Sequence, residues 1–332
     1  MNMNRRNSSS TLPAVPLIYS LLNGGATNWE VISNRIHSNP EEVRWCNARN
    51  GYSFIHSACF GFTNRFIPPY IVQEIIAAYP EVLSVPVKDG WLPLHFAALY
   101  ESPLEIVSVL LESHRDAIST CNDAGNLPLH LALWQRLRGE QVGIVKLLLE
   151  SSPEACGDDR RNQRGLSAWD LVSASWVEDA EKMKENTGLQ ECLFDITMMV
   201  LRARFEQRHG NDAAVAEFLP LHAIMKEDKG NLFETDENVR RYMMENYGDN
   251  ARIPDENGRL CLHMAVENGM NWRSGGGLSD LGEAAPPAII SRDVKTGLYP
   301  FQLAAVDDHC DLDTILHLVR RCVGCFRSIN IS

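Results

Sequence analysis

The stretch DGWLPLHFAALYESPLEIVSVLLES, residues 89–113, decides the fold because its opening phrase recurs along the chain. Related phrases are GNLPLH at 125–130, EFLPLH at 217–222 and GRLCLH at 258–263. Aligned on the position five residues after the glycine, the copies carry His56, His95, His130, Asp170, His222, His263 and Gln302. Spacings of 39, 35, 40, 52, 41 and 39 residues between these positions indicate a repeat array.

Each repeat has the pattern of a turn followed by two helices. Dipeptides such as Asp89-Gly90 and Asn50-Gly51 suit a tight hairpin that needs positive φ. The proline of LPLH fits the first turn of a short helix, where its missing N–H has no helical partner. A second, amphipathic helix follows, with apolar residues such as Val107 and Leu110 at helical spacing. Stacked neighbours would cover the apolar face that one unit leaves open.

Composition places the chain among soluble globular proteins. Hydrophobic residues make up 45% of the 332 residues, and charged residues make up 22%. The formal net charge is −12, from 43 acidic and 31 basic side chains. A generic nucleic-acid or anionic-membrane binder needs a basic face, so we expect neither nucleic acid nor a membrane as a partner.

The N-terminal segment and the cysteines predict a protein that stays inside the cell. Two arginines near the N-terminus are not followed by a long apolar region, so we expect no secretory signal. No stretch approaches 18 uninterrupted apolar residues, so we expect no membrane span. The nine cysteines at irregular spacing are then expected to be reduced thiols. We predict a cytoplasmic location, with the nucleus as a further allowed compartment.

These features together resemble the ankyrin repeat, whose signature is T-P-L-H-x-A with a period of about 33 residues. The resemblance covers most of residues 14–332 and is strongest over 49–162. It implies an all-α fold, an ankyrin-repeat solenoid of about seven to eight helix-loop-helix units with short hairpin loops. Leu92, Leu127 and Leu219 replace the usual threonine. Loss of that side-chain cap costs roughly 0.5–2 kcal/mol per helix unless another group substitutes for it.

The repeats predict a division of the chain into five segments. Residues 1–12 form a polar tail that we expect to be disordered, and residues 13–48 form an N-terminal capping repeat. Residues 49–172 form well-formed ankyrin repeats. Residues 173–214 form a divergent insertion with an extra helix, and residues 215–332 form degenerate C-terminal repeats and a cap.

The repeated histidine could indicate repeated chemistry or repeated architecture. Neighbouring repeats stack at about 10 Å, so successive imidazoles are too far apart to share a metal ion at ~2 Å from each ligand. Asp170 and Gln302, at the equivalent positions, suit hydrogen bonding better than shared chemistry. The resemblance implies a buried imidazole that bonds to backbone between units, and we predict that role here.

A second candidate site is the C-terminal segment HCDLDTILHLVRRCVGC. Cys322 and Cys325 have metal-ligand spacing, and His317 and Cys310 lie upstream. A zinc site needs three or four convergent ligands, and the sequence holds no second CxxC. We therefore predict no cofactor and no metal. A metal-binding or redox protein that uses these four residues is the alternative function.

The third candidate is a surface. Ankyrin arrays generally bind partners on their concave side, which is formed by hairpin tips and first helices. By the family's pattern, its exposed positions are the two residues before the glycine, the one after it, and those nine and ten after it. Aromatic residues, which are enriched in interface hot spots, occupy five of these positions unless some pack under the loops. The predicted partner-binding residues are Tyr52, Phe60, Lys88, Trp91, Tyr100, Asn126, Trp134 and Gln135.

The predicted function follows from the surface rather than from a catalytic motif. The sequence contains no G-x-S-x-G elbow, no H-E-x-x-H and no Walker-type phosphate loop. We predict a monomeric, non-catalytic protein-interaction scaffold that binds a protein partner through the concave surface of repeats two to four.

Overall fold

The computed structural model describes residues 16–18, 28–47, 51–60, 67–134, 139–178, 187–209, 217–227, 230–306 and 309–329. These residues are mainly helical, and their only β pairing is in two isolated bridges, Cys46 with Ser53 and Val87 with Trp91. The predicted all-α class is confirmed. The chain divides into an N-terminal unit, residues 1–135, and a C-terminal unit, residues 136–332. The predicted tail at 1–12 lies outside the described residues.

The N-terminal unit is built from pairs of short helices. Its helices are α1 Trp29–Ser38, α2 Phe54–Phe60, α3 Pro69–Ala78, α4 Pro93–Leu99, α5 Leu104–Ser113 and α6 Pro128–Trp134. The first helices of successive repeats, α2, α4 and α6, pack side by side, and the second helices α1, α3 and α5 do the same. Turns of 3-10 helix follow the second helices at Pro40–Arg44, Pro80–Leu83 and Arg115–Ser119.

The C-terminal unit is less regular. Its helices are α7 Gly139–Ser151, α8 Ala168–Glu178, α9 Thr187–His209, α10 Pro220–Lys226, α11 Asn231–Thr235, α12 Glu237–Tyr247, α13 Cys261–Glu267, α14 Gly277–Ala284, α15 Pro286–Ile289, α16 Pro300–Val306 and α17 Leu312–Ile329. The 23-residue helix α9 lies in the segment predicted to diverge from the repeats, and it packs against α7, α8 and α10. None of the helices in the described ranges is long and apolar enough to cross a membrane.

The turn glycines have the backbone conformation that the sequence predicts. Their φ angles lie between 72° and 78° at Gly51, Gly90, Gly125, Gly165, Gly258 and Gly297. Asp89 also has a positive φ, of 65°, so both central residues of its hairpin are left-handed, as in a type I′ turn. The predicted tight turns are therefore confirmed.

Replacing Gly90 with alanine should destabilise the protein more than the same change at Gly51. Both glycines have φ near 75°, a conformation that costs an L residue roughly 1–2 kcal/mol. A Cβ on Gly90 would also lie 2.5 Å from Oδ1 and 2.8 Å from the backbone nitrogen of Asp123, whereas at Gly51 the nearest atoms are 3.9 Å away. Chemical denaturation of the two variants should separate the steric cost, and equal losses of stability would contradict this account.

Candidate functional site

The repeated histidine bonds to backbone at the start of its own helix, in the next repeat, or in both. In the N-terminal unit, Nδ1 of His95 accepts the backbone N–H of Leu92 at 3.0 Å, and Nε2 donates to the carbonyl oxygen of Asn126 at 3.2 Å. Nδ1 of His130 likewise accepts the N–H of Leu127 at 3.1 Å. In the C-terminal unit, Nε2 of His222 lies 3.2 Å from the carbonyl oxygen of Arg259. The predicted hydrogen bond to backbone of the next repeat is therefore present at His95 and His222.

In the two repeats where Asp170 or Gln302 replaces the histidine, the side chain still accepts a backbone N–H at the start of its own helix. Oδ2 of Asp170 accepts the N–H of Ser167 at 2.7 Å, and Oε1 of Gln302 accepts the N–H of Tyr299 at 3.1 Å. At His95, His130, Asp170 and Gln302 the position five residues after the glycine thus supplies an acceptor to the helix start. That hydrogen bond substitutes in part for the cap that the absent threonine would provide.

Burial favours the neutral form of four of the repeated histidines. Desolvation lowers the pKa of His56 and of His95 to about 4, and it also lowers the pKa values of His222 and His263. The backbone hydrogen bonds act in the opposite direction but are the smaller cause. Each imidazole is fixed by backbone partners, so the row of histidines is architectural.

A group of aromatic rings in the N-terminal unit surrounds one buried ring, that of Phe96. The centroid of Phe96 lies 5.1 Å from that of Tyr52, 5.1 Å from that of Trp91 and 6.3 Å from that of Tyr100. The Tyr52 contact is edge-to-face, and the Tyr100 contact is stacked. Aromatic pairs with centroids 4.5–7 Å apart stabilise each other beyond their buried area, so Phe96 holds three rings of the predicted surface in place.

The predicted residues differ in how far they reach the solvent. Tyr100 and Trp134 are 47% and 48% exposed, and Lys88 is exposed. Tyr52, Trp91 and Asn126 are half-buried, because two of them pack on Phe96 and the third contributes its carbonyl to the repeat contact. Gln135 and the side chain of Phe60 lie outside the described residues. We call the hairpin turns and first helices that carry these residues the tip surface.

Sequence reasoning missed Phe96, although a signal was present. The residue after the repeated histidine is Ser57, Phe96, Leu131, Ala223 or Met264 in the copies. The side chain at this position varies in size between copies, so an aromatic ring in one copy indicates a contact that only this repeat makes. One of its partners, Tyr52, comes from the neighbouring hairpin, so that contact was not visible in the local pattern.

The C-terminal unit carries a polar cleft at the equivalent repeat positions. The cleft has a volume of about 570 Å³ and is lined by Met225, Lys226, Asp255, Asn257, Arg259, Met264, Glu267, Asn268, Val294 and Lys295. Asn257 and Arg259 flank the turn glycine, and Glu267 and Asn268 stand nine and ten residues after it. Four residues that line the cleft therefore stand at positions that the ankyrin pattern predicts to be exposed.

The charges of this cleft are paired with one another. Arg259 binds Asp293 at 2.8 Å and Glu267 at 2.6 Å, and Lys295 also binds Glu267 at 2.6 Å. Lys226 pairs with Asp255 at 3.2 Å. These ion pairs link the residues on opposite sides of the cleft. They also bring positive and negative charges together, so the cleft has little net charge.

The C-terminal cysteines and histidine do not form a ligand cluster in the part of the chain that is described. Cys322 is buried, Nδ1 of His317 lies 2.9 Å from the carbonyl oxygen of Asp313, and Sγ of Cys310 lies 3.7 Å from a backbone carbonyl. No three His, Cys, Asp or Glu side chains converge there on a metal position. The side chain of Cys325 lies outside the described residues. The metal-binding alternative stays a prediction, and elemental analysis tests it.

Paired helices joined by hairpins, with histidine bonds between repeats, define a helical-repeat protein. A family model described as ankyrin repeats in three copies matches residues 55–159, so this part of the chain consists of ankyrin repeats. The predicted family and fold class are thereby confirmed. Comparison with the curated proteins gave no match. Ankyrin repeats form protein-protein interaction domains, so the coarse function is interaction with other proteins.

Proposed function

We propose that this protein is a non-catalytic scaffold, monomeric and cytoplasmic, that binds a protein partner through the tip surface of the N-terminal unit. The observation that carries the proposal is the packing of Tyr52, Trp91 and Tyr100 around the buried ring of Phe96. Tyrosine and tryptophan dominate interface hot spots because they bury large areas. Rings already held in place lose little conformational freedom on binding, which favours affinity.

The proposal also rests on where the exposed aromatic rings stand. Tyr100 directly follows the first helix α4, and Trp134 is the last residue of the equivalent helix α6. Because α4 and α6 pack side by side, both rings lie on the layer of first helices, which the hairpin turns precede in each repeat. A partner bound there would contact residues from at least two successive repeats.

The test is a comparison of proteins captured by the native chain and by a variant with Trp91, Tyr100 and Trp134 replaced by alanine. Truncation of a hot-spot residue weakens binding by at least about 2 kcal/mol, roughly thirtyfold. We expect specific partners to be lost in the variant. The matched control is Tyr70→Ala, which removes a similarly exposed aromatic ring, 46% exposed, from the second helix α3.

The control should retain the partners of the native chain. Circular dichroism and thermal unfolding establish that both variants are folded. If the folded triple variant keeps the whole set of partners, the binding site lies elsewhere and the proposal fails.

A further inference from the structure

The repeat formed by α16 and α17 has one side that no other helix covers. Its closest helical neighbours are α13 and α15, which both precede it in the chain. Inner first helices are flanked on both sides, as α4 is by α2 and α6. Among the described residues, no further helix packs closely on α16 and α17.

The uncovered side is the one on which another repeat would stack. Phe301 and Ala305 of α16 stand four and eight residues after the turn glycine Gly297, and they are half-buried and exposed, respectively. Residues at the same two positions of four other repeats are buried: Ile55 and Cys59, Leu94 and Ala98, Leu129 and Leu133, and Leu262 and Val266. Their exposure in α16 therefore identifies the stacking side of this repeat.

The second helix of the repeat, α17, is apolar along its uncovered side. Ile315 and Val319 are half-buried. Residues at the equivalent positions of three earlier second helices are buried: Val72 and Ile76, Val107 and Leu111, and Val145 and Leu149. Leu312, Leu316 and Val323 are 69%, 40% and 45% exposed, and their spacing of three and four residues from the first two places all five on one helix face. We call these five residues, with Phe301 and Ala305, the outer face.

The leucine at position 316 is a departure from the other repeats. The equivalent positions in the three earlier second helices are polar, with Gln73, Ser108 and Lys146. A terminal repeat needs a polar outer surface for solubility, and a contiguous exposed apolar strip indicates an interaction site. The outer face therefore has the composition of an interface.

We propose that the outer face binds an amphipathic helix of a partner protein, which lies along α17 where the helices of a further repeat would pack. This surface is separate from the tip surface, so it adds a second binding site to the proposed scaffold. Helices flank the inner repeats on this side, so the stacking interface continues and a helix is the element that fits. Apolar residues of the partner at three- and four-residue spacing would meet the apolar strip.

The size of the outer face favours a single helix over a second copy of the chain. The helix α17 has 18 residues, which gives a length of about 27 Å at a helix diameter of about 10 Å. With the shorter α16, the face covers roughly 400 Å². A standard interface buries about 800 Å² on each partner, so this face alone is small for a stable dimer, whereas one helix of similar length can cover it.

The first experiment measures binding of a labelled helical peptide, of the same length as α17, to the full chain by fluorescence anisotropy. The probe has leucine at heptad positions a and d and glutamate or lysine elsewhere. Its matched control has the same composition in an order that spreads the leucines around the helix. We expect the amphipathic probe to bind and the control to bind at least tenfold more weakly. The triple aromatic variant of the tip surface should bind the probe like the native chain, so the two proposals fail separately.

The second experiment locates the binding surface with Leu316→Gln. The fold should persist, because Gln73 occupies the equivalent position of α3. Burial of a leucine side chain favours association by about tenfold or more, so we expect at least a tenfold loss of probe binding. The control is Leu104→Gln, the same change at the first residue of α5, where the leucine is 37% exposed. We expect less than a twofold effect there, and circular dichroism establishes that both variants are folded.

Three binding results would overturn the inference. They are no binding of the amphipathic probe, equal binding of the control peptide, and equal effects of Leu316→Gln and Leu104→Gln. Sedimentation of the chain without peptide gives a further test. A monomer supports the inference, whereas a dimer that Leu316→Gln dissociates would assign the outer face to a second copy and overturn the partner helix.

Discussion

Lowering the pH from 7 to 4 should reduce the free energy of unfolding by several kcal/mol through His56 and His95. Their folded-state pKa values are about 4, below the value of about 6.5 for an unfolded histidine. Between these values the unfolded chain binds protons that the folded chain does not, so stability falls as the pH falls. At about 1.4 kcal/mol per pKa unit, each histidine contributes roughly 3 kcal/mol. This contribution is fully present above pH 6.5 and is lost on the way down to pH 4.

Carboxylates also respond to acid, so the experiment needs a reference without the histidines. Asp170 and Asp293 have lowered pKa values, and both lose their ion pairs at low pH. The reference is His56→Gln with His95→Gln, because Gln302 shows that glutamine supplies the same acceptor at this position. Urea unfolding followed by circular dichroism at several pH values should show a shallower loss between pH 6.5 and 4 in the double variant. Identical profiles would mean that the histidines do not carry the effect.

Replacing Glu227 with alanine should cost about 3 kcal/mol, because it removes a partner from a buried arginine. The side chains of Arg204 and Glu227 are 5% and 3% exposed, and their charged atoms lie 2.7 Å apart. Glu227 also pairs with Arg208 at 2.6 Å. Breaking a buried pair typically costs 3–5 kcal/mol, and the lower end applies because Arg204 keeps its ion pair with Asp158.

The control for this change is Glu206→Ala on the same helix as Arg204. Glu206 pairs with Arg202 at 2.9 Å, and both side chains are largely exposed, so its loss should cost less than about 1 kcal/mol. Denaturant titration of both variants measures the difference. The prediction is wrong if Glu227→Ala is no less stable than Glu206→Ala.

The regular part of the fold could be predicted from the sequence because it is local. Gly90 sets a left-handed turn, Pro93 begins α4, and His95 reaches the helix start three residues before it. Each of these features depends on residues a few positions apart. Their recurrence at a fixed offset also predicts that they belong to repeats, which the family comparison confirms over residues 55–159.

One contact that shapes the candidate site, between Tyr52 and Phe96, joins distant positions, and no local pattern encodes it. Tyr52 was expected to be exposed, but it is half-buried because its ring meets Phe96 in the next repeat. Arg204 in the divergent helix α9 binds Asp158, 46 residues away. Such pairs depend on how the helices pack against one another. The spacing of residues within one repeat does not determine that packing.

The histidine bond between repeats does not depend on the side chain of the residue that accepts it. His95 donates to the carbonyl oxygen of Asn126, and His222 lies against the carbonyl oxygen of Arg259, so the acceptor is a backbone atom in both cases. Every amino acid offers that carbonyl. A change of side chain at the residue after the turn glycine therefore leaves this backbone bond between repeats in place. New binding specificities can arise without weakening the fold at those positions whose side chains, unlike that of Arg259 in its ion pair with buried Asp293, make no structural contact.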